Sequence, residues 1–112
     1  MYEYRATVER VVDGDTVDLD IDLGLDVHAK ERCRLYGIDT PEMRGESRPL
    51  GIEARDFLVE MVLGREVVAQ TIKDRRGKYG RYLVALFLES GDDLLDVNQA
   101  LIEAGHAVVY EP

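Results

Sequence analysis

Four segments of this 112-residue chain carry residue types that can do chemistry: Asp13-Gly14-Asp15-Thr16, Arg34, Asp39-Thr40-Pro41-Glu42 and Tyr79-Gly80-Arg81. Carboxylates are hard oxygen donors of the kind that calcium takes in flexible geometry. An arginine guanidinium is a planar fork that donates two parallel hydrogen bonds to a phosphate. Three converging acids can hold a hard cation, and two arginines beside them can grip a phosphodiester. Hydrolysis of that ester brings an anionic nucleophile up to an anion, and a bound cation screens the repulsion. The combination therefore reads as a metal-dependent phosphodiesterase site. Asp15, Asp39 and Glu42 set against Arg34 and Arg81 leave it at −1 when empty and at +1 with one divalent cation. Metal and anionic substrate should then bind with positive coupling. Zinc is not indicated, because no histidine or cysteine cluster occurs.

The elements that must position these residues follow from periodicity. Thr16 to Leu23 alternates apolar and acidic residues, the pattern of a half-buried strand. Tyr4 to Val12 is the strand before it, with Asp13-Gly14 as the turn. Val27 to Ile38 forms a third strand, ended by Thr40-Pro41. Arg44 to Gly51 reads as a loop, and Ile52 to Leu63 as a helix with Ala54, Phe57, Leu58, Met61 and Val62 on its apolar stripe. Strands at Glu66 to Ile72 and Tyr82 to Glu89 follow. Asp96 can cap a second helix that ends at Gly105, and Ala107 to Tyr110 is short and extended. The order βββ-α-ββ-α makes a mainly β fold with helices (α+β). It predicts a five-stranded OB-fold Greek-key barrel, with a helix after strand 3 and a second helix near the C-terminus. An α+β sandwich is the alternative that patterning permits. The length suits one domain over residues 1–112.

Five motifs in order resemble the staphylococcal nuclease (thermonuclease) domain family. They are Asp13-Gly14-Asp15-Thr16, Arg34 through Glu42, Gly51-Ile52-Glu53-Ala54, Lys78-Tyr79-Gly80-Arg81 and Asn98-Gln99-Ala100-Leu101-Ile102. Each alone is weak, but five in sequence at compatible spacings cover nearly the whole chain. The resemblance implies an OB-fold barrel and a calcium-dependent nuclease that hydrolyses DNA and RNA, preferring single-stranded or frayed substrate and leaving 3′-phosphate ends. It implies Asp15 and Asp39 as Ca2+ ligands, with the Thr40 carbonyl as a third. Glu42 would position or deprotonate the attacking water, and Arg34 and Arg81 would grip the phosphate. Lys78 and Tyr79 would contact a terminal phosphate, and Tyr110 would face a base. The chain departs from the best-known members in its acidity, in Gly77 where an acid is expected, and in ending at Pro112 where they continue into a helix. The surface this leaves would be covered by a second copy, a partner or a missing C-terminal segment.

Charge and composition limit the alternatives. The net charge of −9 opposes general affinity for long nucleic acid. The charge is uneven, however. Residues 73–81 hold five cations against one aspartate, while Asp13 to Asp26 holds six aspartates and no cation. The basic run is either a charged hairpin end or a substrate contact, and Arg44 and Arg48 read as solvated. Asp18, Asp20 and Asp22 are not an EF-hand loop, since Leu23 stands where glycine is needed. They read as a solvated strand face. A non-catalytic nucleic-acid- or protein-binding module of the same fold is the rival reading. A generic single-strand-binding OB domain fits less well, because no run of aromatics is present to stack bases. The single Cys33 forms no internal disulfide and reads as a reduced, partly buried thiol, and His28 and His106 lie outside every motif. No signal peptide or membrane span is evident, so the expectation is a cytoplasmic protein, or a secreted one if a leader is missing from this chain.

Overall fold

The computed structural model describes residues 2–76 and 81–111, the side chains of residues 73–76 excepted. In chain order the elements are β1 (Tyr2–Asp13), β2 (Thr16–Asp22), β3 (His28–Leu35), β4 (Ile38–Asp39), a 3-10 turn (Gly45–Ser47), α1 (Arg48–Val62), β5 (Glu66–Arg76), β6 (Tyr82–Ser90), β7 (Asp93–Asp96), α2 (Val97–Glu103) and β8 (Val108–Val109). Antiparallel pairing runs β3-β2-β1-β5-β6, and a parallel contact of Cys33–Leu35 with Tyr82–Val84 closes the ring. The result is the expected five-stranded OB-type barrel with two helices.

Alternation on β2 decides which residues fill it. Val17, Leu19 and Ile21 point inward with Ala6, Val8, Cys33, Leu35, Val84 and Leu86. Asp18, Asp20 and Asp22 face away, opposite Arg32, Lys30 and His28. Arg32 Nε donates to Asp18 at 2.7 Å and holds its carboxyl below the usual aspartate range. Asp20 meets His28 Nδ1 at 3.1 Å. These acids are a cross-strand ionic face, as the alternation predicts.

Three boundaries differ from the sequence expectation. The third strand stops at Leu35, where Tyr36-Gly37 turns with Gly37 at φ +80°, so Ile38–Asp39 forms a separate strand paired with Val108–Val109. Helix α1 begins at Arg48 instead of Ile52. Pro49 is compatible with a first helical turn, because its ring fixes φ near the helical value and its missing N–H has no helical partner there. Gly51 is thus a helix residue, not a loop glycine. Strand β7 was unforeseen. Its four residues are all exposed, so it shows no alternation. Asp96 does cap α2, accepting from the Gln99 amide at 3.0 Å. Among the described residues no helix is long and apolar enough to cross a membrane.

Buried Asn98 ties α2 to the barrel. Its Oδ1 accepts from the Leu86 amide at 3.2 Å, and its Nδ2 donates to the carbonyls of Tyr36 (2.9 Å) and Val84 (3.2 Å). One side chain therefore fixes the helix, β6 and the turn that leads into Asp39.

Candidate active site

The β1–β2 turn places the first acids. Asp13 Oδ1 accepts from the Asp15 amide at 3.0 Å, the local side-chain-to-backbone turn that aspartate favours. This aims the buried Asp15 carboxylate across the turn. Its Oδ1 accepts from the Thr16 hydroxyl at 3.2 Å and its Oδ2 from the Thr40 amide at 3.3 Å. The second of these bonds joins the β1–β2 turn to the turn after β4.

Arg34 lies between the two acid-bearing turns. It pairs with Thr16 across β2–β3, so both side chains leave the same face of the sheet. Its Nη2 donates to the Ile38 carbonyl at 3.1 Å and to Asp39 Oδ1 at 3.3 Å, and lies 3.6 Å from Asp15 Oδ2. The guanidinium also sits over the Tyr110 ring, 5.6 Å from its centroid, a cation–π approach. Tyr110 is held by its amide, which donates to the Gly37 carbonyl at 2.9 Å. Arg81 reaches the same place from the start of β6, its Nη1 donating to Thr16 Oγ1 at 3.4 Å.

Asp15, Arg34, Asp39, Thr40, Arg81 and Tyr110 are thus gathered from four separated stretches of chain. Glu42 is on the adjoining turn, but its exposed carboxylate turns to Arg44 Nε at 3.1 Å. Lys78 and Tyr79 lie outside the described residues. His106 packs its ring 4.8 Å from that of Phe57, against α1.

The electrostatics are those of crowded acids. Burial pushes the Asp13 carboxyl up to about 6, and the neighbouring Asp15 carboxylate adds to the effect by sharing a proton and by like-charge repulsion. Asp13 thus both braces the turn, through the Asp15 amide, and repels the Asp15 carboxylate. Cys33, by contrast, is chemically silent: burial pushes its thiol up to about 12. Among the described residues no three Asp, Glu, His or Cys side chains are gathered into a ready-made metal cage. Two carboxylates converge instead, both on oxygen and both beside a single guanidinium. That donor set suits a hard, oxygen-seeking cation and offers nothing to a thiophilic one.

Comparison with known proteins agrees with the barrel. A family model described as staphylococcal nuclease homologue matches residues 32–112. A thermonuclease of Staphylococcus intermedius is 35% identical over 94% of this chain and 60% of its own length. A protein named an uncharacterized endonuclease, from Escherichia coli O157:H7, is 34% identical over 97% of this chain and 63% of its own. An uncharacterized protein of Methanocaldococcus jannaschii is 28% identical over 96% of this chain and 59% of its own. The chain spans about six-tenths of the length of these relatives. With the model match covering well over half of its residues, the chain belongs to the staphylococcal nuclease homologue family.

Proposed function

We propose that this chain is a calcium-dependent nuclease that hydrolyses phosphodiester bonds of DNA or RNA, acts on single-stranded or frayed strands, and reads little sequence. The observation that carries the reading is Arg34. One of its terminal nitrogens serves both acid-bearing turns, while among the described residues its Nε and Nη1 donate to no protein group. Those two N–H groups are available to a phosphate, and the carboxylates that hold the arginine are the pair that would hold the cation.

Asp15, Asp39 and the Thr40 carbonyl would hold calcium. When bound, the cation supplies charge neutralisation and polarises a phosphoryl oxygen. Arg34 donates to the phosphate from Nε or Nη1 and, with Nη2 released from the acids by the cation, as a two-pronged fork, and Arg81, anchored on Thr16, donates from the other side to the charge that builds in the transition state. Glu42 accepts a proton from the attacking water once its carboxylate leaves Arg44. That exchange is cheap, because an exposed ion pair contributes only about 0–1 kcal/mol. Lys78 and Tyr79 take a terminal phosphate, and Tyr110 faces the base.

One observation favours a second reading, that of a non-catalytic binding module: the Glu42 carboxylate is paired away from the acids. Incubation with denatured DNA at mildly alkaline pH and low salt separates the two. Cutting that needs calcium, stops with chelator and is lost in Glu42→Gln establishes the nuclease. Binding of DNA without cutting at saturating calcium establishes the module.

A further inference from the structure

The two acid-bearing turns do not reach their spacing through their own hydrogen bonds alone, because α1 is wedged against both. At Gly51 an added Cβ would lie 2.6 Å from the Glu42 carbonyl oxygen and 2.7 Å from that of Pro41. These are backbone atoms and cannot swing aside. At Gly14 an added Cβ would lie 2.8 Å from the Ala54 Cβ and 2.9 Å from Thr40 Oγ1. Gly51 and Ala54 are three residues apart and both buried, so one narrow stripe of the helix touches both turns. Glycine is a poor helix-interior residue, and its presence at position 51 is explained by this close approach. The chain leading into the helix adds two ties. The Ser47 hydroxyl lies 2.7 Å from the Glu42 carbonyl and 3.1 Å from that of Arg44, and Arg48 Nη1 donates to the Met43 carbonyl at 3.1 Å.

We propose that α1 is the gauge of the site. Gly51, Ala54 and Gly14 are positioning residues that set the distance between Asp15 and the Asp39–Glu42 turn, and Ser47 sets where Glu42 departs from it. The geometric claim stands by itself, while its consequence for catalysis rests on the calcium-dependent reading above.

The Thr40 amide reports the spacing directly, since its bond to Asp15 Oδ2 spans the two turns. Its hydrogen exchange is to be measured by NMR relative to the Leu86 amide, in the wild type, in Gly51→Ala and in Leu58→Ala. The last loosens the core-facing side of the same helix and controls for lost stability. In Gly51→Ala the Thr40 rate should rise at least tenfold relative to Leu86, and in Leu58→Ala the ratio should stay constant. Calcium affinity by calorimetry should fall about tenfold in Gly51→Ala only. An unchanged exchange ratio in Gly51→Ala overturns the gauge. A wild type that neither binds calcium nor cuts overturns the nuclease reading, and the exchange ratio still decides the gauge. If Gly51→Ala does not fold, Ser47→Ala, which removes one hydroxyl, takes its place. A threefold rise in the ratio, with kcat lowered and KM unchanged, supports the proposal, and no change in either overturns it.

Discussion

Asp13→Asn should make this protein more stable at neutral and alkaline pH. The Asp13 carboxyl is pushed from 3.8 up to about 6, first by burial and then by the Asp15 carboxylate. Between those values the folded chain keeps a proton that the unfolded chain has released. Stability therefore falls as pH rises from about 4 to about 6, and the loss persists above that window. The displacement corresponds to at most about 3 kcal/mol. Asp13 is only partly buried, so solvent screening reduces this to about 1–2 kcal/mol. Asparagine removes the charge and keeps an oxygen to accept from the Asp15 amide, now bonded at 3.0 Å. Urea unfolding at pH 8 in the presence of chelator should show the variant more stable by about 1–2 kcal/mol, a rise of roughly 5–10 °C in Tm for a domain of this size. The advantage should vanish below pH 4, where both versions are neutral at this position. It should also shrink on adding calcium, because a cation at Asp15 would favour the ionised form of Asp13. Equal stability at pH 8, or an advantage that persists at pH 3, would refute the account of crowded acids.

Four further outcomes follow from the same geometry. Arg34→Lys should stay folded yet lose about a hundredfold in kcat/KM on denatured DNA, about 3 kcal/mol, because a point charge replaces a fork; activity within threefold of wild type would remove Arg34 from the mechanism. Asn98→Ala should cost about 2–4 kcal/mol in urea unfolding, since it strands the buried Leu86 amide and takes a donor from the Tyr36 carbonyl, the Val84 carbonyl still accepting from the Tyr36 amide. Cys33, fully buried and with its thiol pushed up to about 12, should react with a thiol reagent at pH 8 only as fast as the protein unfolds, so a rapid labelling phase in native protein would contradict its burial. A non-hydrolysable oligonucleotide should tighten calcium binding by about 10–100-fold, with calcium tightening the oligonucleotide by the same factor; independence of the two in titration calorimetry would sink the charge-reversal argument.

What the sequence made legible was whatever a local period carries. The uninterrupted alternation of Thr16 to Leu23 identified the strand, its buried face and the harmlessness of its acids at once. Asp96 announced its helix through a cap, a bond made three residues away. The parallel closure of β3 on β6 joins residues about fifty positions apart, and no local pattern contains it. The start of α1 was misread because glycine and proline near Arg48 look like a loop, whereas the proline fits a first turn and the glycine answers to a contact with the Pro41 and Glu42 carbonyls. The roles of Gly51 and Asn98 were hidden for the same reason: both are set by groups distant in sequence. Strand β7 exposes Leu94 and Leu95 alike, so burial gave it no signature. Candidate site residues were easier to find than their geometry. Acid and arginine types named Asp15, Arg34 and Asp39, but nothing in their spacing told that a single guanidinium nitrogen would serve both turns or that Glu42 would turn toward Arg44.

The arrangement around Arg34 explains how one residue can serve both stability and substrate. In the absence of a cation, its Nη2 is the positive charge that holds Asp39 and approaches Asp15, which would otherwise repel each other. A cation held between those carboxylates, as proposed above, would take over that task. The guanidinium would then no longer be needed as their counter-ion, and its fork could turn wholly to phosphate beside the Tyr110 ring. Before that exchange the arginine is engaged by the acids; after it the cluster would be more positive by the charge of the ion and the arginine would be released. Metal and substrate should therefore favour each other's binding for a physical reason that needs no moving domain. The backbone spacing of the two turns, fixed by α1, is what lets a single charge be handed from side chain to ion without the acids drifting apart.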